Sequence, residues 1–275
     1  MEWVQKGILD WYAQNKRDLP WRKTRDVYRI LVSEVMLQQT QVDRVVPKYL
    51  AFLNQFPTAS SLARASPADV IVAWSGLGYN RRALFLQRAA QVLAKEIPSD
   101  LQELPGVGPY TARAVECFAL GRDVPVVDTN IRRIFSRLFF EGAGTMGGID
   151  ETVVKAVPKG EGVAWNNALM DFGSMVCTAE SPNCASCPLK SKCTAFKTGN
   201  QEKYLRIAPK QKPFAGSRRF YRGRVLRLVK EPILLAQLAK SLKKSEAWTR
   251  KLAGELAKEG LVSINGNTVS LPISL

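Results

Sequence analysis

The chain has 275 residues, 40 Lys and Arg against 24 Asp and Glu, a formal charge of +16, and no histidine. Its length allows a sizeable core in one large domain or two to three small ones, and its charge favours a phosphate-rich partner. The absence of histidine excludes imidazole acid–base catalysis and every His-containing metal site. Met1 opens on an amphipathic pattern, and no apolar run approaches the roughly 18 residues that a membrane span needs. A soluble, cytoplasmic, nucleoid-associated chain is the expectation. From residue 28 to 175 the apolar residues recur mostly at helical spacing, as at Leu31, Val35 and Gln38 and again at Ala112, Val115 and Ala119, with Gly, Pro, Ser and Asp as breaks. This part reads as all-α.

Within the first of those helices, Glu34 lies in the apolar stretch ILVSEVML. Desolvation there favours the protonated acid, which is what protonating a leaving group requires; the plainer alternative is a surface Glu on an amphipathic helix. LPGVGPYTA (104–112) follows, a turn of apolar and glycine residues, Gly106, Val107 and Gly108, opening onto a helix that begins near Tyr110. Backbone N–H groups left free at such a helix start suit a phosphate, although a helix stop followed by a new helix would also explain the glycines. PVVDTNIRRIF then sets Asp128 just ahead of a helix, either as an N-cap or as a carboxylate that stays ionised and faces developing positive charge.

Cys177, Cys184, Cys187 and Cys193 make a C-x6-C-x2-C-x5-C loop. Four thiolates so close together suit a [4Fe-4S] cluster or a tetrahedral zinc, and spacing leaves both open. Lys190 and Lys192 put cations beside that loop. Residues 201 to 230 hold ten Lys or Arg against the single acid Glu202, so a basic linker over 201–219 leads into a new unit over 220–275. In that unit PILLAQLAKSL reads as a helix begun by Pro232, SEAWTRKLAGELAKEG as a second helix stopped by Gly260, and LVSINGNTVSL as a hairpin about Asn265-Gly266. The order is that of a small winged-helix-like α+β unit, either an auxiliary DNA contact or a packing module.

An acid, a carboxylate and a phosphate-binding turn on a basic helical chain outline an enzyme that cleaves an N-glycosidic bond in DNA. At this point the motifs resemble a family: WYAQNKRDLPWR (11–22), YRILVSEVMLQQTQV, GLGYNRRA (76–83), LPGVGPYTA, VVDTNIRRI, WNNALMDFGSMVC (165–177) and the four cysteines occur in the order of the helix-hairpin-helix DNA glycosylases, specifically the MutY type. The resemblance covers roughly the first 195 residues. It implies two helical domains, a barrel over 26–136 and an iron–sulfur domain built from 1–25 and 137–200, with double-stranded DNA as the partner of a monomer. It implies that Glu34 protonates adenine, that Asp128 stabilises the oxocarbenium ion or its covalent adduct, and that Asn130 supports Asp128. It further implies that Trp21 and Arg22 line the base pocket, that Gln38, Gln39 and Tyr79 meet the base stack, that Gly106, Val107 and Gly108 hold the backbone, and that the cysteines carry a [4Fe-4S] cluster.

Where bifunctional relatives carry a Schiff-base lysine, the resemblance aligns Tyr110, whose phenol cannot form one. A monofunctional glycosylase, leaving an intact abasic strand, is the expectation. Two departures stand out: Asn80 replaces a second tyrosine after GLGY, and the winged-helix-like tail stands where the family usually carries a NUDIX-like domain that recognises 8-oxoguanine. A thymine or uracil mismatch glycosylase of the same superfamily and a non-catalytic iron–sulfur DNA-binding regulator remain as alternatives.

Overall fold

The computed structural model describes residues 1–204 and 213–272. In chain order its helices are α1 (Glu2–Asn15), α2 (Val27–Leu37), α3 (Val42–Gln55), α4 (Ala59–Arg64), α5 (Pro67–Ala73), α6 (Arg81–Leu93) and α7 (Pro109–Phe118). They continue with α8 (Thr129–Phe139), α9 (Met146–Lys155), α10 (Gly162–Met175), α11 (Thr194–Lys197), α12 (Arg218–Leu228), α13 (Leu235–Leu242) and α14 (Glu246–Lys258). The fold class is therefore all-α with a small sheet. No helix among the described residues is long and apolar enough to cross a membrane.

Helix starts follow capping chemistry. Thr58 and Ser61 form a capping box at α4, Ser66 caps α5 with Pro67 in its first turn, and Thr145, Ser217 and Ser245 accept from backbone N–H groups at α9, α12 and α14.

The chain forms two compact units, 1–27 with 109–210 and 28–108 with 211–275. The first is built about α1, α8, α9 and α10. Val4 and Ile8 pack with Ile134, Phe135, Val153, Trp165 and Phe172, each no more than 2% exposed. Burying such side chains contributes about 1.5–3 kcal/mol each. The sequence boundary at residue 136 divides α8, whereas packing keeps the helix whole and groups α7 and α8 with this unit. The reason is the apolar stripe Ile131, Ile134, Phe135 and Leu138, which has its partners on α1 and α10.

In the second unit α4 packs along α6, and the C-terminal segment joins α5 and α6 rather than standing apart. Val225, Leu238, Leu252, Leu256 and Val269 share one buried cluster with Ile71 and Leu84. Here the order is α12, β1 (Ile233–Leu234), α13, α14, β2 (Ser263–Asn265) and β3 (Thr268–Ser270). The sheet runs β1-β3-β2, antiparallel throughout, with Ile233 opposite Val269 and Ile264 opposite the same residue.

Two sequence expectations change here. Ile233 and Leu234 are a strand, and the helix begins at Leu235, because the hairpin captures this segment and the Leu235 N–H donates to the Asn267 carbonyl at 2.8 Å. Residues 218–228, which straddle the expected boundary between basic linker and C-terminal unit at 219, form α12. Its arginines hid a narrow stripe in which Val225 and Leu226 are buried, with Val229 just beyond the helix. Of the linker proper, residues 205–212 lie outside the described residues. The hairpin about Asn265-Gly266 forms as the sequence indicates, with Gly266 at φ +58°.

Candidate active site

In the first unit Asp128 is the N-cap of α8. One carboxylate oxygen accepts from the Ile131 backbone N–H at 2.7 Å, and the other accepts from the Asn130 side-chain amide at 2.8 Å. Capping and fixing the carboxylate are thus one arrangement. Asn130 is itself held, because Arg133 donates to its Oδ1 at 3.0 Å. That guanidinium, only 5% exposed, also donates to the Gly173 carbonyl at 2.6 Å and the Cys177 carbonyl at 2.9 Å. Gly173 permits this contact, since a Cβ there would lie 2.9 Å from Asn130 Cβ. The segment leading to Asp128 is clamped by buried Asn166, which accepts from the Val126 N–H and donates to the Val124 and Gly162 carbonyls.

Electrostatics at Asp128 pull in opposite directions. Burial, the largest influence, pushes its carboxyl above the usual carboxylate range; hydrogen bonds from Ile131 and Asn130 and the charge of Arg133 oppose it. The ionised form therefore depends on those donors. Tyr110 stands half-buried in the first turn of α7, after Pro109.

Trp21 and Arg22 lie in a short 3-10 turn, Pro20–Lys23. Trp21 is buried, and Arg22 makes a bidentate pair with fully buried Asp171 at 2.7 and 2.9 Å, to which Arg17 adds a contact at 2.6 Å. The Arg22 guanidinium is thus engaged in holding the Trp21 turn against α10. Asp171, unremarked in the sequence, is the anchor of that network, and its two arginines outweigh burial and hold its carboxyl below the usual range.

In the second unit Glu34 is 5% exposed on α2, and its helix neighbours Ile30, Leu31, Val35 and Met36 are all buried too. Just beyond the end of the helix, Gln39 turns into the left-handed region at φ +57°, and Tyr79 does the same at φ +46° in the loop after Gly78. For residues with a side chain this costs roughly 1–2 kcal/mol each. Gln38 is half-buried, whereas Gln39 and Tyr79 are exposed.

Arg82 binds these pieces together. Its guanidinium donates to the Val35 and Gln38 carbonyls at 2.5 and 2.8 Å and to the Gly78 carbonyl at 3.2 Å, and it lies over the Trp74 and Tyr79 rings. Burial lowers its pKa to about 10. In the sequence Arg82 is marked only as the second of two arginines at the start of the helix that follows a glycine-rich turn.

Gly106 sits at φ +79° with its Cβ position 2.7 Å from Phe85 Cβ, so conformation and close approach to α6 both demand glycine. Val107 is buried, while exposed Gly108 has open space where a Cβ would be.

Cys177, Cys184, Cys187 and Cys193 line one cavity of about 430 Å³ including its open mouth, walled by Ile134, Leu138, Phe172, Val176 and Leu189. Arg137 donates to Cys177 Sγ at 3.5 Å, and Cys193 Sγ donates to the Arg137 carbonyl at 3.4 Å. Burial pushes the Cys187 thiol up to about 11 and raises Cys184 and Cys193, with neighbouring cysteines adding to the rise. No group of three His, Cys, Asp or Glu among the described residues is gathered closely enough to hold a metal ion as it stands. Lys192 lies over the Trp3 ring.

Residues 32–159 match the HhH-GPD superfamily of base excision DNA repair proteins. A protein of Mycolicibacterium smegmatis named adenine DNA glycosylase is 39% identical over 93% of this chain and 91% of its own length. The chain belongs to the adenine DNA glycosylase family. A human protein of the same name is 37% identical over 72% of this chain and 40% of its own length. Among solved structures, a thermostable thymine-DNA glycosylase superposes with a TM-score of 0.66 at 29% identity, covering 70% of this chain and 94% of that one. The M. smegmatis match reaches well past the first 195 residues, so family likeness extends into the C-terminal segment.

Proposed function

We propose that the protein excises mispaired adenine from double-stranded DNA, opposite 8-oxoguanine or guanine, as the first step of base excision repair. In the reaction the bond between adenine N9 and the sugar C1′ breaks, water adds at C1′, and a proton ends on the leaving base. Glu34, buried on α2, supplies the proton. Asp128, held by Ile131 and Asn130, faces the positive charge that develops on the sugar. Trp21 lines the pocket, with Arg22 fixing its turn; Gln38, Gln39 and Tyr79 meet the base stack of the flipped nucleotide; Gly106, Val107 and Gly108 receive a phosphate. Tyr110 offers no amine, so the strand stays intact.

The observation that carries this reading is the match to adenine DNA glycosylases over most of the chain, which also sets aside the non-catalytic regulator. We further assign a [4Fe-4S] cluster to Cys177, Cys184, Cys187 and Cys193. Four thiols outside any disulfide round one apolar cavity suit it, and a bound cation would offset the burial that raises Cys184, Cys187 and Cys193. Its contribution is structural, holding the loop that receives Arg133. The protein acts as a monomer in the cytoplasm.

The test is single-turnover base release from duplexes carrying A:8-oxoguanine, A:G, T:G and U:G, with and without alkali. Adenine release with strand scission only after alkali is expected. Release of thymine or uracil instead would move the protein to the activity of its thymine-DNA glycosylase neighbour, and nicking without alkali would refute the monofunctional assignment.

A further inference from the structure

The winged-helix segment carries twelve Lys and Arg against four Glu between residues 213 and 272. Several of those charges are spent internally: Arg218 pairs with Glu255, Arg222 with Glu259 at 2.6 Å, and Arg224 donates to the Ser241 carbonyl. At the start of α12, Arg219 reaches the Tyr79 hydroxyl at 3.4 Å, which sets a cation of the C-terminal segment against the strained loop of α6.

Beside it runs an aromatic ladder, Phe214 to Phe220, Phe220 to Tyr221 and Tyr221 to Trp248, each pair edge-to-face at 5.1 to 5.8 Å. Phe214 is 60% exposed, and Lys244 caps the other end over both Tyr221 and Trp248. Trp248 lies in the first turn of α14, after the Ser245 cap, where helix polarity adds to the attraction for anions. Aromatic faces interleaved with cations at a helix start form a surface suited to a sugar-phosphate backbone, and this one is continuous with Tyr79.

We propose that this edge of the winged-helix unit, Phe214, Arg219, Tyr221, Lys244 and Trp248, binds the phosphate backbone of the duplex flanking the nucleotide that Tyr79 probes. The inference rests on the DNA glycosylase reading and adds a second DNA contact to it. Arg219 and Lys244 neutralise phosphates, and the aromatic ladder keeps their stems in place. Because phosphates carry no sequence, the contact strengthens binding to matched and mismatched duplexes alike.

The experiment measures affinity of the full chain for a matched duplex and an A:8-oxoguanine duplex by fluorescence anisotropy, at several salt concentrations between about 50 and 200 mM. Each lost phosphate contact reduces the slope of log affinity against log salt by about 1. R219A/K244A is expected to lose about two from that slope and about tenfold in affinity on both duplexes, with an unchanged thermal midpoint. R219K/K244R, which keeps the charges, is expected to restore the slope. Lys258→Ala removes a cation at the far end of α14, about 15 Å along the helix from Trp248, and is expected to change neither quantity. R219A/K244A with the wild-type slope, or an equal loss in Lys258→Ala, would overturn the inference. A wild-type chain that binds neither duplex would overturn the proposed function as well.

Discussion

Arg133 joins the two features of the first unit that matter most, the Asp128 carboxylate and the cysteine loop, and Arg133→Lys tests whether that junction works as the geometry indicates. The guanidinium donates three hydrogen bonds in one plane, to Asn130 Oδ1, the Gly173 carbonyl and the Cys177 carbonyl. A lysine at this position keeps the charge but carries its donors on one nitrogen, which can satisfy one of the three acceptors. Two hydrogen bonds from a charged donor, at about 1.5–3 kcal/mol each, are lost, and relaxation of the site returns part of that. The expected destabilisation is about 2–4 kcal/mol, read from the urea midpoint at neutral pH.

The same variant has a second readout. Once Asn130 is no longer held, one of the bonds favouring ionised Asp128 weakens, and its already raised pKa rises further. In the proposed reaction base release needs the ionised form, which is lost as pH falls through that pKa. The acid limb of the pH–rate profile therefore moves to higher pH in Arg133→Lys. A variant within about 0.5 kcal/mol of wild type, with an unmoved acid limb, would refute the coupling.

Asp128→Asn follows from the same electrostatics. A carboxyl whose folded-state pKa lies above its unfolded value stabilises the fold at low pH and loses that contribution as pH rises through the folded pKa. A neutral amide that keeps the α8 cap should therefore raise the thermal midpoint at neutral pH, and a lower midpoint would contradict the burial argument. Gly106→Ala places a Cβ 2.7 Å from Phe85 Cβ at φ +79°, and is expected to cost about 2–4 kcal/mol in chemical denaturation; a cost below about 1 kcal/mol would show that the turn relaxes freely. Cys184→Ser or iron chelation should abolish the brown absorbance expected near about 400 nm and lower the midpoint, whereas a colourless wild type holding stoichiometric zinc would refute the cluster.

Much of the site was legible because its chemistry is local. Asp128 shows as a cap from its position before TNIRRI, Glu34 as a buried acid from the apolar residues about it, and the cysteines from their spacing. What the sequence hides are the long-range acceptors. Arg82 and Arg133 look like ordinary helix-surface arginines, and only the fold reveals that backbone carbonyls far along the chain draw them inward. Asp171 is similar, since Arg17 and Arg22 lie about 150 positions away. In the C-terminal unit the two helices and the hairpin are legible in the sequence but the edges are not, because α12 buries too few residues to produce a clear period and β1 exists only through its pairing with β3.

The most direct test of the central claim is single-turnover adenine release from an A:8-oxoguanine duplex by the wild type, Glu34→Gln and Asp128→Asn, with each enzyme in excess over DNA. The account predicts release by the wild type and a loss of at least about 100-fold in each variant, with duplex affinity retained. Release by either variant within a few-fold of wild type would contradict it.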